Sequence, residues 1–250
     1  LFFVCILLEW LARKRLPASA QYRGVEVMCN FALATMHQLA DLLSGLLIAK
    51  VYLWLFGWRL FDIQMTLVSF IVLLVAQDFC YYWFHRISHE RQIFWASHVA
   101  HHQSEDYNLS TALRQTGTGA FVTWVFFVPV FLLGVPSFVF VSVASINLIY
   151  QFWVHSEHIP KLGWYEKFFV TASNHRVHHA QNDNYIDKNY GGVFIIWDRM
   201  FGTFKEEDES EAPIYGIRGT LNTFNPIWAN LHIYTSMAKD IWYAQSWKDK

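Results

Sequence analysis

The sequence has few charged residues, no excess of either charge and only three cysteines. Aspartate, glutamate, lysine and arginine make up 16% of the 250 residues, whereas soluble domains average about 25%. The net charge of -1 argues against a nucleic-acid partner. Cys5, Cys29 and Cys80 lie far apart in apolar stretches, so they form neither a disulfide framework nor a cysteine metal motif. We expect each to be a buried structural residue.

In place of charge, the sequence has long apolar segments, and 54% of its residues are hydrophobic. Residues 1–12 are too few to cross a bilayer, which takes about 20 residues. Because this run starts without a methionine, we interpret it as part of a truncated first membrane helix. Four further apolar segments follow, at residues 29–58, 66–84, 119–133 and 137–154. Gly134 and Pro136 mark a turn between the last two, which predicts a helical hairpin.

Basic residues set the predicted orientation. Arg13, Lys14, Arg15 and Arg23 precede the 29–58 segment and place that end in the cytoplasm by the positive-inside rule. Alternating crossings then bring the polar regions 84–118 and 155–226 to the same cytoplasmic face. We therefore predict one membrane domain over residues 1–250, an all-α integral membrane helical bundle with a cytoplasmic, histidine-rich helical cap for two metal ions.

Nine of the twelve histidines form three boxes and one single neighbour in these regions. They are His85 and His89 in an HxxxH box, His98, His101 and His102 in one HxxHH box, His175, His178 and His179 in a second, and the single His155. Histidines three or four residues apart share a helix face, so we expect all three rings of an HxxHH box to face one centre. Neutral imidazole is a common metal ligand. Because one tetrahedral zinc takes only four ligands, nine imidazoles predict a two-metal site.

The other three histidines are weaker candidates. His158 lies three residues after His155, and we rank it below His155 as a ligand. His37 and His232 are isolated, and we expect structural roles for both.

Two carboxylates near the first box extend the candidate site. Asp78 lies seven residues before His85, on the same helix face and inside an apolar segment, where an ionisable residue suggests function. We expect Asp78 to accept the second N–H of a ligand imidazole, or else to pair with an arginine. Glu90 follows the box directly and has three possible roles, as a ligand, as an anchor for a ligand or as a surface residue.

Residue type and closeness to the boxes also suggest residues that support the candidate site. Six acidic and amide side chains after the boxes are candidates for orienting imidazoles: Glu105, Asp106, Asn108, Asn174, Asn182 and Asp187. Asp198 and Arg199 are expected to pair. Aromatic residues near the inner ends of the spans are candidates for a lipid tunnel or for interface anchors: Phe79, Tyr82, Trp83, Phe152 and Trp153.

Imidazole ligands suit iron, zinc, copper and nickel. Redox chemistry on an apolar substrate at a membrane face favours iron, because zinc has no redox states.

The order of the boxes between apolar segments resembles the fatty acid hydroxylase/sterol desaturase superfamily of integral membrane di-iron oxygenases. The likeness runs from about Gln77 to Phe204 and includes the stretches DFCYYWFHR at 78–86 and NYGGVFIIWDRMFGT at 189–203. The resemblance implies that two iron ions activate dioxygen, with the eight box histidines as ligands and His155 as the ninth.

Segments 104–115, 175–179 and 185–191 are similar to the branch of this superfamily that acts on alkylglycerols. That likeness implies hydroxylation of the ether-linked carbon of a membrane lipid by dioxygen, with tetrahydrobiopterin or another donor supplying electrons. The resulting hemiacetal would collapse to a fatty aldehyde and glycerol.

Three alternatives remain at this point. Superfamily members with the same boxes act on sterols, sphingolipids and acyl chains, so a different lipid hydroxylase or desaturase fits the pattern. A histidine-rich metal transporter would need ligands near the bilayer midplane; the boxes lie outside the spans, and within the spans only His37, Asp41 and Asp78 are candidates. A zinc scaffold without turnover is the third.

Overall fold

The computed structural model describes residues 1–15 and 21–244, and within these ranges the regular secondary structure is helical, without strands. The α-helices are α1 (Phe2–Ala12), α2 (Gly24–Phe56), α3 (Leu67–Glu90), α4 (Gln92–Trp95), α5 (Val99–His102), α6 (Ala120–Thr123), α7 (Val128–Leu132), α8 (Ser137–Trp153), α9 (Ala172–His179), α10 (Ile196–Phe201) and α11 (Pro226–Tyr243). Short 3₁₀ helices lie at Thr111–Leu113, Trp124–Phe127 and Gly163–Lys167. The all-α prediction is confirmed for these residues.

Helices α2 and α3 have the length and apolar composition to cross a membrane, and little of either is buried inside the protein. On α2, the side chains of Leu42, Leu43, Leu46 and Leu47 are 67–82% exposed. An apolar surface of this extent suits lipid contact better than water. These two helices therefore indicate a membrane protein.

The three cysteines are free thiols. Cys29 is buried, as expected, whereas Cys5 and Cys80 are partly exposed. The expectation of burial is therefore wrong for two of them, because their helices α1 and α3 face outward over much of their length.

Helix α3 carries the chain from the apolar region into the histidine-rich region. It begins with a reciprocal cap, in which Thr66 Oγ1 accepts from the Ser69 N–H and Ser69 Oγ accepts from the Thr66 N–H. The helix continues past its apolar run to Glu90. His85 and His89 therefore extend directly from the span, as the sequence predicts.

The predicted hairpin is present, but its first arm is broken. Residues 120–132 form α6, a 3₁₀ turn and α7 rather than one helix. Pro129 lies at the start of α7, and its missing N–H cannot continue the α-helical hydrogen bonds. At the turn, Gly134 has a φ of +103°, and a Cβ there would lie 2.0 Å from the Phe61 oxygen. Only glycine fits this close approach.

Asp78 holds the segment after Asn189 against α3. Its buried carboxylate accepts hydrogen bonds of 2.7–3.1 Å from the side chain of Asn147, from the N–H groups of Val193 and Phe194, and from the indole of Trp197. Neither predicted partner, an imidazole or an arginine, contacts it. Both predictions are wrong because Asp78 lies about 10 Å along the helix axis from His85, at the level where this segment packs on α3.

Asp198 connects the two ends of the same segment through hydrogen bonds. Its carboxylate accepts from the N–H groups of Tyr190 and Gly191 and from the Thr203 hydroxyl. It does not pair with Arg199, contrary to expectation. The Arg199 side chain instead donates to the Glu166 main-chain oxygen, because consecutive helical residues point in different directions.

Candidate metal centre

Nine histidines form two adjoining clusters of ring nitrogens. The first cluster consists of His85, His89, His98, His102 and His178, and the second of His101, His155, His175 and His179. Within each cluster, one ring nitrogen of every histidine lies within 4.8 Å of the others. The clusters meet where the rings of His102 and His179 stack with centroids 4.4 Å apart. The structure thus brings together all nine histidines selected from the sequence.

Each HxxHH box contributes to both clusters. His98 and His102, four residues apart, belong to the first cluster, whereas His101 belongs to the second. The last box is divided in the same way, with its middle residue, His178, in the first cluster. The expectation that the three rings of a box face one centre is therefore wrong. Residues three and four positions along a helix differ by about 100° in direction, so one box can serve two centres.

The spacing of the ring nitrogens fits metal coordination. In the second cluster, His175 Nε2 lies 3.0 Å from His155 Nε2 and 3.1 Å from His179 Nε2, and His155 Nε2 lies 3.3 Å from His101 Nε2. In the first cluster, His98 Nε2 has two such neighbours at 3.1 Å. Nitrogens bound at about 2.1 Å to one ion lie about 3.0–3.4 Å apart. Each cluster can therefore surround one ion.

Main-chain carbonyls fix the orientation of four of these rings. Their Nδ1 atoms lie 2.8–3.0 Å from an oxygen in the pairs His85–Tyr190, His101–Arg114, His155–Gln151 and His178–Lys188. A carbonyl oxygen only accepts, so each Nδ1 carries the proton and donates it. The Nε2 lone pairs are then directed into the clusters, which is the form of imidazole that binds metals.

At His89 the neighbouring group is a carboxylate, at a longer distance than the carbonyls. His89 Nδ1 lies 3.6 Å from Asp187 Oδ1. Of the six acidic and amide residues expected to orient imidazoles, Asp187 is the one that lies beside a cluster ring. The other five bind elsewhere; Asp106 pairs with Arg23, for example, and Asn174 caps α9. The expectation is therefore wrong for them.

Burial keeps the cluster imidazoles neutral. The pKa of His101 falls from 6.5 to about 4, mainly because burial disfavours the charged ring. The same cause holds the pKa values of His98, His102, His155, His175, His178 and His179 well below the usual value, and neighbouring imidazoles lower them further. Neutral rings are ready to bind a metal without first losing a proton.

Two buried ring nitrogens show how well these residues fit a metal ion. His89 Nε2 and His178 Nε2 are buried and have no hydrogen-bond partner in the described part of the chain. A buried polar atom without a partner costs free energy. An ion in the first cluster would satisfy both atoms, so the residues fit a metal.

Glu90 lies outside both clusters. Its carboxylate accepts from Arg86 Nε at 2.7 Å and is 41% exposed. Of its three possible roles, the geometry supports that of a surface residue.

The three weaker histidine candidates are also outside the clusters. His158 Nε2 lies 4.0 Å from Glu9. His37 Nδ1 contacts the Thr116 oxygen, and His232 Nδ1 contacts a carbonyl of its own helix. Ranking them below the other nine is supported by this geometry.

Sequence reasoning missed Arg114, which supports the second cluster from behind. Its buried guanidinium donates to the Ala100 oxygen at 2.6 Å and to Asn30 at 3.0 Å, and it pairs with Glu26. Its main-chain oxygen holds His101. Arg114 therefore fixes the loop that orients a ligand candidate. A lone arginine in a polar region gave no signal of this role.

The clusters border two cavities. The first, which we term the polar cavity, has a volume of about 480 Å³ and is lined by Glu90, Asp187 and Arg218 together with four cluster histidines. The second, the interhelical cavity, has a volume of about 380 Å³ and is lined by residues of α1, α2, α3 and α8 together with His98, His101 and His155. The two cavities share no lining residue, so the candidate metal sites border two separate spaces.

The interhelical cavity differs from the predicted tunnel. Of the five aromatic candidates, only Phe152 lines it, beside Tyr81 and Phe84. Tyr82 is fully buried, and Phe79 and Trp83 line a separate groove. The tunnel prediction is wrong for the rest because the sequence could not tell which faces of α3 and α8 border the cavity.

Comparisons with known proteins identify the family and several relatives of this chain. The family model described as fatty acid hydroxylase matches residues 70–203. Alkylglycerol monooxygenase of Homo sapiens is 39% identical over 249 residues, which cover 96% of this chain and 54% of that protein. Its namesake in Danio rerio is 52% identical over 157 residues, covering 63% and 34%.

A more distant relative is the ornithine lipid hydroxylase OlsE of Rhizobium tropici, 28% identical over 151 residues that cover 58% of this chain and 44% of that protein. The chain spans about half of the length of the human alkylglycerol monooxygenase that it matches. No solved structure matches it significantly.

Proposed function

The chain belongs to the fatty acid hydroxylase family, and from this premise we propose that it is a membrane di-iron monooxygenase that hydroxylates a lipid C–H bond. The observation that carries the proposal is the division of nine imidazoles into two adjoining clusters of five and four. Imidazole ligands suit several metals, and iron is proposed because the relatives are named monooxygenases and hydroxylases, whose chemistry needs a redox-active metal. Zinc has no redox states.

The chain's own residues bind and orient the metal ions. The nine cluster histidines are the proposed ligands, and the carbonyls behind them hold the rings in the binding tautomer. Two bound iron ions would supply dioxygen activation and electron transfer. Burial of the clusters excludes bulk water from the reacting centre. Asp78 and Glu90 have no direct part in this chemistry, and Asp78 fixes the segment that bears Tyr190.

The proposed substrate is a lipid whose tail enters the interhelical cavity. The names of the relatives with 39% and 52% identity support an alkylglycerol, hydroxylated at its ether-linked carbon. One dioxygen atom would enter the C–H bond, and the other would be reduced to water with two electrons and two protons from the donor. The hemiacetal product would release a fatty aldehyde and glycerol.

The proposed electron donor, tetrahydrobiopterin or another reductant, approaches through the polar cavity. This cavity touches both clusters through His102 and His179 and is lined by polar and charged side chains. A water-soluble donor and an apolar substrate would then reach the centre through different cavities. The positive-inside rule supports a multi-pass arrangement with the clusters on the cytoplasmic face.

The test combines metal analysis with product analysis. Protein purified in detergent is expected to contain two iron ions and to release fatty aldehyde from a long-chain alkylglycerol only when tetrahydrobiopterin and dioxygen are both present. Two bound irons without aldehyde would reject the alkylglycerol, and a sterol and a free fatty acid would then be tested as substrates. A single zinc ion that does not respond to dioxygen would reject the monooxygenase.

A further inference from the structure

A histidine and an aspartate of α2 face the interhelical cavity away from both clusters. His37, Gln38 and Asp41 line it with Gln115 and Thr116. His37 Nε2 lies 3.3 Å from Asp41 Oδ2. Both side chains are partly exposed, 27% for His37 and 46% for Asp41. The same cavity reaches cluster histidines, so a bound molecule can touch the polar pair and the reacting centre together.

The hydrogen bonds of this pair leave acceptor capacity for a ligand. His37 Nδ1 lies 3.0 Å from the Thr116 main-chain oxygen and must donate to it. With a neutral ring, His37 Nε2 and the Asp41 carboxylate are then two acceptors facing each other. With a charged ring, Asp41 Oδ1 still accepts. In either state a ligand hydroxyl has an acceptor.

The position of the pair fits the polar end of an amphiphile. Asp41 is followed on α2 by Leu42 and Leu43, which are 74% and 82% exposed. Earlier on the same helix, Glu26 and Asn30 contact the buried Arg114. His37 and Asp41 therefore lie between the polar contacts of Arg114 and a run of exposed leucines.

The charge of the cavity limits the kind of head group. In the part of the chain that the structure describes, no lysine or arginine lines it. A carboxylate or phosphate group would approach Asp41 without a lysine or arginine to offset the repulsion. An uncharged group with hydroxyl donors meets no such penalty.

We propose that His37 and Asp41 form a head-group subsite that selects uncharged, hydroxyl-bearing lipids over anionic ones. This inference rests on the proposed function, because it assigns the same cavity to the lipid substrate. It adds a selectivity that the histidine clusters alone do not provide.

The test measures lipid binding without turnover, under anaerobic conditions, with protein in uncharged detergent. The probes share one alkyl chain and differ in the head: an alkylglycerol, its dimethyl ether without hydroxyl donors, and the corresponding fatty acid anion. Wild-type protein is expected to bind the alkylglycerol about tenfold more tightly than either other probe. Asp41→Asn and His37→Gln are each expected to reduce this preference to about twofold or less.

Asp62→Asn is the matched control, because Asp62 is an exposed aspartate that pairs with Arg59 and is not among the residues lining the cavity. It is expected to keep the wild-type preference. Metal content and thermal midpoint confirm that each variant is folded. Equal binding of the three probes by wild-type protein, or an unchanged preference in both cavity variants, would overturn the subsite. Selective binding without aldehyde formation, when dioxygen and tetrahydrobiopterin are both supplied, would uphold the subsite and reject the oxidation of alkylglycerol, so the two failures are distinguishable.

Discussion

The imidazole rings of His101 and His102 are perpendicular, with centroids 5.3 Å apart, and they belong to different clusters. Neighbouring residues of the single-turn helix α5 therefore serve two centres. The same division in α9 gives the site its two-metal character.

Replacing a single candidate ligand is expected to remove the metal ion of its own cluster and leave the other ion bound. His178→Gln removes a nitrogen from the first cluster and His179→Gln one from the second, although the residues are adjacent. We expect each variant to retain about one of two iron ions, because the other cluster keeps its ligands. Metal analysis checks this, with His232→Gln as the control. Loss of both ions in both variants would contradict two separable sites.

Asp187 is expected to act by positioning His89. Asp187→Asn removes the charge 3.6 Å from His89 Nδ1, and asparagine tolerates the φ of +58° found there. We expect about a tenfold loss of metal affinity in the first cluster, since the partners of metal-binding imidazoles commonly contribute this much. Titration with Fe²⁺ measures it. Asp183→Asn, at an exposed aspartate paired with Arg218, should retain wild-type affinity, and equal losses in both variants would argue against positioning.

Gly192 lies so close to Asp78 that we expect no room for a side chain at position 192. A Cβ at Gly192 would lie 2.8 Å from Asp78 Oδ1 and 2.9 Å from Asn147 Oδ1. Because hydrogen bonds hold both oxygens, Gly192→Ala should cost about 1–3 kcal/mol of stability. Gly45→Ala is the matched control, since a Cβ there meets nothing within 4 Å and alanine favours a helix by about 1 kcal/mol. Thermal unfolding in detergent compares them, and equal midpoints would refute the close approach.

Acid is expected to destabilise the protein after its metal is removed. The folded pKa of His101 is about 4 against an ordinary 6.5, so between these values the unfolded chain binds more protons than the folded one. Stability is then fully present above about pH 6.5 and is lost as the pH falls toward 4. Thermal midpoints of chelator-treated protein across this range test the prediction.

A double variant, His102→Gln with His178→Gln, should show a shallower decline, because two of the imidazoles with lowered pKa are gone. His232→Gln should follow the parent curve. A midpoint that does not change with pH would contradict neutral burial of the clusters.

The composition and spacing of the sequence determined much of this protein. Apolar runs of about the length of a span or more placed α2 and α3, because their backbone groups can be satisfied within a helix. Helical spacing selected the eight box histidines, which converge with His155. Isolation in the sequence separated His37 and His232 from them. These features depend on residues close in sequence, where helix geometry is the same in any fold.

Only the tertiary structure decided how these histidines divide and what holds them. The partner of His85 is a carbonyl of Tyr190, and that of His101 is a carbonyl of Arg114. Every residue has a main-chain carbonyl, so the sequence does not show which carbonyl will accept from an imidazole. Asp78 likewise binds Val193 and Phe194 rather than an imidazole, because distant segments meet at its level of α3. The sequence determined which side chains can bind metal, and packing decided which centre each one faces.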